Sequence, residues 1–210
     1  LKTNDLINSL SKDVKKVEVV KFTFADLIKV SFVGLLCVLA SVAWQGIRFD
    51  ILEQMSRWSY WVESLMMLCL GLTSILAAMN LSIPDKQKSN MTIIPALPLL
   101  VLLLIVGYSF IQYSNLSYVL ANGFGCVSQI LASAILPAGF LFWMARRAAA
   151  LKRDKVGLMA ALSGLSFGLL TVQLSCYDSS PLHILVWHLL PVLIFAGCGL
   201  ALGKTILHRI

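Results

Sequence analysis

Long apolar stretches separated by short polar connections dominate the chain. They cover roughly residues 25–47, 58–81, 92–112, 124–144, 156–175 and 182–204. Each is close to the ~20 residues an α-helix needs to cross a bilayer core, so the pattern predicts six transmembrane helices. Lipid offers no hydrogen bonds, and a helix satisfies its backbone groups within its own segment. Ahead of the spans, residues 1–21 form a polar arm. There Leu6, Ile7, Leu10, Val14 and Val17 recur at spacings of three and four, the stripe of an amphipathic helix. Thr3 or Asn4 can cap it, with Asp5 in the first turn. A helix this short is marginal alone in water, so it needs a surface: the bilayer, the protein's own loops or a partner. The expected organisation is an arm over 1–21 and a six-helix membrane domain over 22–210.

Composition agrees with the pattern. Of 210 residues, 59% are hydrophobic and 13% charged, where a soluble domain carries about 25% charged residues. The expected fold class is therefore an all-α integral membrane protein. The arm has neither the short apolar core nor the small-residue cleavage site of a signal peptide. A net charge of +7 would suit nucleic acid, but its distribution points elsewhere. One side of the predicted bundle holds Lys2, Lys12, Lys15, Lys16, Lys21, Lys86, Lys88, Arg146, Arg147, Lys152, Arg153, Lys155, Lys204 and Arg209. The other holds Arg48 and Arg57. Cytoplasmic loops collect Lys and Arg, so fourteen against two places both termini in the cytoplasm and predicts no direct nucleic-acid contact.

Within the spans, Asp26 and Lys29 are spaced to pair or to reach the headgroups. Trp44, Trp58, Tyr60 and Trp61 mark the outer interface. Glu63 is an intramembrane carboxylate, a functional candidate that is also near enough to the surface to reach water. Pro95 and Pro98 fall in the first turns of the third span, where proline costs least. Gly164 with Gly168, and Gly199 with Gly203, form small-xxx-small faces for close helix packing or for a homodimer. Asn115-Leu116-Ser117 matches a glycosylation sequon, discounted because it lies close to the membrane and would be chance in a bacterial protein.

The chemistry concentrates at the outer ends of the fourth and fifth spans. The five cysteines at 37, 69, 126, 176 and 198 show no CxxC spacing, so they form neither a disulfide framework nor a zinc ribbon. Cys37, Cys69 and Cys198 fall at mid-membrane depth, where a thiol packs as a small apolar group. Cys126 and Cys176 instead meet the outer surface together. Adjacent helices pack about 8–10 Å apart, which puts the two thiols within reach of one soft ion or of each other. Two small apolar residues at helix ends is the plain alternative. Asp178, His183 and His188 lie near enough in sequence to complete a site, though both histidines cannot easily bind one ion. His188 is five residues beyond His183, which on an α-helix puts the two rings on different faces. No HExxH, phosphate-binding glycine loop or convergent Ser-His-Asp set is present, so no enzyme is expected. A small membrane transporter or channel for a metal ion or other solute is the alternative function, though the spans offer little polar path.

Several segments then resemble one family. They are Lys-Thr-Asn-Asp-Leu-Ile-Asn-Ser-Leu at 2–10, the stretch from Ala77-Ala78 to Pro84, Leu136-Pro137-Ala138-Gly139, Ala145-Arg146-Arg147-Ala148, Leu174-Ser175-Cys176-Tyr177-Asp178-Ser179-Ser180-Pro181-Leu182, and Trp187-His188. Together they resemble the NrsF-type membrane anti-sigma factors, negative regulators of an extracytoplasmic-function sigma factor. The resemblance implies a protein of the bacterial inner membrane that sequesters such a sigma factor and releases it under heavy-metal or oxidant stress. It implies Cys126 and Cys176 as the sensor pair, assisted by Asp178 or His183, with a regulatory heavy-metal ion and no resident cofactor. The sigma-binding element it implies is the arm, through Asp5, Leu6, Ile7, Leu10, Val14 and Val17, with the basic turn at 146–155 able to share the contact.

Overall fold

The computed structural model describes Thr3, Ile7, Ser11 and residues 21–84, 89–113, 123–148 and 150–207. Among the described residues, regular structure is helical throughout. The elements in chain order are α1 (Phe24–Gln45), a short α2 (Ile51–Met55), α3 (Trp58–Ser82), a 3-10 turn (Ser89–Thr92), α4 (Ala96–Tyr113), α5 (Phe124–Arg146), α6 (Arg153–Ser175) and α7 (Pro181–Ile206). All but α2 and the 3-10 turn are long and apolar enough to cross a membrane.

Local chemistry sets the helix ends. The Asp26 carboxylate accepts from the Thr23 backbone N–H at 2.9 Å and from Lys29 Nζ at 3.1 Å, closing the first turn of α1 in the manner of a capping box. Pro95 supplies no N–H and disfavours helix at the residue before it. Accordingly α4 begins at Ala96, later than the 92 expected from hydropathy, after the 3-10 turn. Pro181 opens α7 at its first position, where its missing N–H costs nothing.

One helix organises the rest. In α6, 83% of the most apolar window is buried, against 22–44% in the other five spans. Its small residues make that possible. A β-carbon on Gly164 would meet the Ala134 carbonyl and Ala138 of α5, and one on Gly168 would meet Ile130 of the same helix. Gly157 lies against Gly199 and Gly203 of α7, backbone to backbone. The glycine faces are thus occupied by neighbouring helices of the same chain. From α1, Gly34 leaves room for the Phe167 ring, which a β-carbon would approach to 2.5 Å. Ser133 of α5 ties three helices, bonding Ser41 Oγ of α1 at 2.8 Å and accepting from Thr171 Oγ1 of α6 at 3.0 Å. The peripheral helices keep lipid-compatible faces outward, with Phe32 and Leu39 on α1 and Leu97 and Leu104 on α4 exposed.

Candidate metal centre

Where α5 begins, α6 ends and α7 begins, four soft donors converge. Cys126 sits in the first turn of α5. Cys176 caps α6 in extended conformation, which turns the chain into the short link before Pro181. The two sulfurs are 3.4 Å apart. His183 Nε2 lies 3.6 Å from Cys126 Sγ and 3.5 Å from Cys176 Sγ. Its other nitrogen, Nδ1, is 3.3 Å from Asp178 Oδ2, while Asp178 Oδ1 accepts from the Ser180 backbone N–H at 2.8 Å. A histidine held by a carboxylate on one nitrogen and facing sulfur with the other has the outer-shell support typical of metal ligands. Asp178 serves that supporting role and stands outside the donor group itself.

His188 completes the group, against the expectation from its spacing. Residues Ile184–Leu189 form a π-helical turn, whose i→i+5 hydrogen bonding brings positions five apart onto one face. The His183 and His188 rings meet edge to face, 5.1 Å between centroids. One ligand atom each from Cys126, Cys176, His183 and His188 lies within 4.8 Å of every other. His188 is 4% exposed, and its Nε2 has no hydrogen-bond partner. A buried polar atom left unsatisfied is costly, so a buried imidazole with an unpartnered nitrogen fits a residue whose ring serves a ligand.

Two thiolates and two imidazoles form a donor set for zinc-like ions, cadmium or copper(I) rather than magnesium or calcium. The dimensions fit. A tetrahedral ion with bonds of about 2.3 Å to sulfur and 2.0 Å to nitrogen spaces its sulfurs about 3.8 Å apart and sulfur from nitrogen about 3.5 Å. The Cys176 thiol is held below its usual range, first by the hydrogen bond from Cys126 and then by His183, and thiolate is the form that binds metal. Closing the 3.4 Å gap to a disulfide length of about 2.05 Å requires a small shift of the helix ends, so the same pair can also meet an oxidant.

The link between α6 and α7 is clasped from the far side. Arg48, 5% exposed, donates its backbone N–H to Leu174 O at 3.0 Å and Nη2 to Ser179 Oγ at 2.7 Å. Its guanidinium also holds Asp50 through Nε and Nη2, at 2.7 and 2.8 Å. Arg48, then Gln54, keeps the Asp50 carboxyl well below the usual carboxylate range. Phe49 stacks on Tyr177, 5.7 Å between centroids. Loop 176–180 therefore touches the donor group with one side and the exit of α1 with the other.

The structure brings Cys126, Cys176 and His183 together, adds His188, whose spacing had set it on another face, and places Arg48, expected as an outer loop charge, against the link that follows Cys176. Of the arm residues, Ile7 is helical and 57% exposed. Asp5, Leu6, Leu10, Val14 and Val17 lie outside the described residues, as does the sequon at Asn115. Intramembrane amides bridge helices: Gln129 of α5 accepts from Ser175 of α6 at 3.1 Å, and Gln173 of α6 donates to Glu63 of α3 at 3.3 Å. Ser128 and Ser163 instead bond back to their own helices.

No curated protein and no solved structure matches this chain. The family described as "Negative regulator of sigma F" (NrsF) matches residues 10–208, nearly the whole length, and the chain belongs to that family.

Proposed function

We propose that this protein holds an extracytoplasmic-function sigma factor at the bacterial inner membrane and releases it when a soft metal ion, or an oxidant, engages Cys126 and Cys176. Family membership supplies the negative regulation of a sigma factor and supports a regulatory rather than a catalytic role. The observation that carries the sensing half is the convergence of two thiols and two imidazoles at the end of the bundle remote from the basic connection at 146–155. The uneven distribution of Lys and Arg supports a cytoplasmic face for that connection and for the arm. The donor group then faces the exterior. Signalling requires the ion to bind one packing of α5, α6 and α7 better than another. Moving the sigma factor from mostly held to mostly released needs about 5.5 kcal/mol of difference, within the range of a thiolate metal site. The transporter alternative is disfavoured because α6 fills the bundle axis.

The test is a strain reporting sigma-dependent transcription. Cys126→Ser with Cys176→Ser is expected to abolish induction by cadmium while repression persists. Normal induction in that double variant would remove the sensing half. Deletion of residues 1–21 is expected to release the sigma factor constitutively, and retained repression would move the binding surface elsewhere.

A further inference from the structure

Beside the donor group lies a cavity of about 380 Å³. At its rim are Arg57 and Ser179, both exposed, and at its inner wall are Cys176 and His188, both buried. Neither Cys126 nor His183 lines it. One sulfur and one imidazole therefore face the cavity, and the other two donors close the site from behind. The half-buried carboxyl side chain of Glu63, within a membrane span, also lines the cavity.

The charges around the cavity do not cancel evenly. Arg48 is paired with Asp50 and Arg57 with Glu53, so the two guanidinium groups lining the cavity arrive neutralised from outside it. Asp178 is directed to His183 and to the Ser180 N–H. Glu63 has the neutral Gln173 amide as its hydrogen-bond partner, and among the described residues no cation forms an ion pair with it. A cleft with low-dielectric walls and an excess of one charge concentrates ions of the opposite sign. An intramembrane carboxylate placed on a polar path is a functional candidate for the same reason.

We propose that this cavity is the port by which a hydrated soft or borderline divalent cation reaches the thiol–imidazole site, with Glu63 as its positioning residue. The inference rests on the reading of that site as a cation sensor. A carboxylate suits the first encounter, because it attracts a hydrated ion through charge. Sulfur and nitrogen then displace the water and retain the ion, since they are the better ligands for a soft cation. Glu63 lowers the barrier in both directions and adds little to the final affinity.

The experiment uses the full chain purified in detergent micelles and mixed with cadmium ion. Thiolate-to-cadmium absorption is followed by stopped flow, and equilibrium affinity is measured by chelator competition. Glu63→Gln keeps the size and the hydrogen bond to Gln173 while removing the charge. It is expected to slow association about tenfold or more and to leave the dissociation constant within about twofold. Glu63→Asp is expected to restore the fast rate, and added salt to slow the wild-type chain. An unchanged rate in Glu63→Gln overturns the port. So does a loss of affinity equal to the loss of rate, which would make Glu63 a ligand. If Glu63→Gln does not fold, a salt-independent wild-type rate overturns the port in its place. Absence of the absorption band in the wild-type chain overturns the cation site itself, a separate failure.

Discussion

The two ends of the bundle solve the problem of charge in opposite ways. At the cysteine end, Arg48 is buried and held by Asp50, Ser179 and the Tyr177 carbonyl, and Asp178 is committed to His183. Polar groups there are bound to one another, and the orphaned atom among them is His188 Nε2. At the basic end, Arg146 and Arg147 are exposed, and Arg147 lies over the Trp143 ring at 3.7 Å, as a side chain does when its charge stays toward water. One end is pre-organised, its four soft donors held close together. The other keeps its positive charge accessible.

Three measurements can break or sharpen this contrast. The largest effect is expected from His188→Ala, which removes the ligand supplied by the π turn. Loss of even an outer-shell partner costs about 10–100-fold in metal affinity, so cadmium affinity by chelator competition should fall by at least about tenfold. An unchanged affinity would reduce the centre to three donors. A smaller effect is expected from acid. The folded carboxyl of Asp50 is depressed below its unfolded value of about 3.9. The stability it contributes is therefore complete above that value and lost as pH falls through the depressed one. On account of this pair the midpoint of thermal unfolding in micelles should stay constant between pH 7 and 5 and fall below about pH 4, and Asp50→Asn should flatten that fall. The smallest effect is expected at the basic end. Lys152→Gln with Lys155→Gln should move stability by no more than about 0.5 kcal/mol, and a larger loss would show that this end is also internally bonded.

Much of the architecture was legible from hydropathy, because spans are fixed by length and apolarity, and lipid permits few alternatives. Glycine spacing announced close packing but not which helices would meet. Only the fold reveals that Gly157, Gly164 and Gly168 place α6 at the centre. Cys126 and Cys176 could be brought together on paper because antiparallel neighbours end at similar depth. His188 could not, since its pairing with His183 depends on a π turn, and helical spacing rules assume 3.6 residues per turn. Arg48 was likewise hidden. As one of two basic residues on its side it read as a loop charge, and its burial follows from a link arriving from residues 174–179, far along the chain.

The π turn at Ile184–Leu189 also gives the centre an evolutionary hinge. A turn closed by i→i+5 bonds holds one residue more than its α-helical counterpart. A single-codon insertion or deletion here could therefore create or erase the fourth ligand while leaving the rest of α7 helical. Gaining or losing one residue in this turn would suffice to carry the His188 ring away from the other three donors.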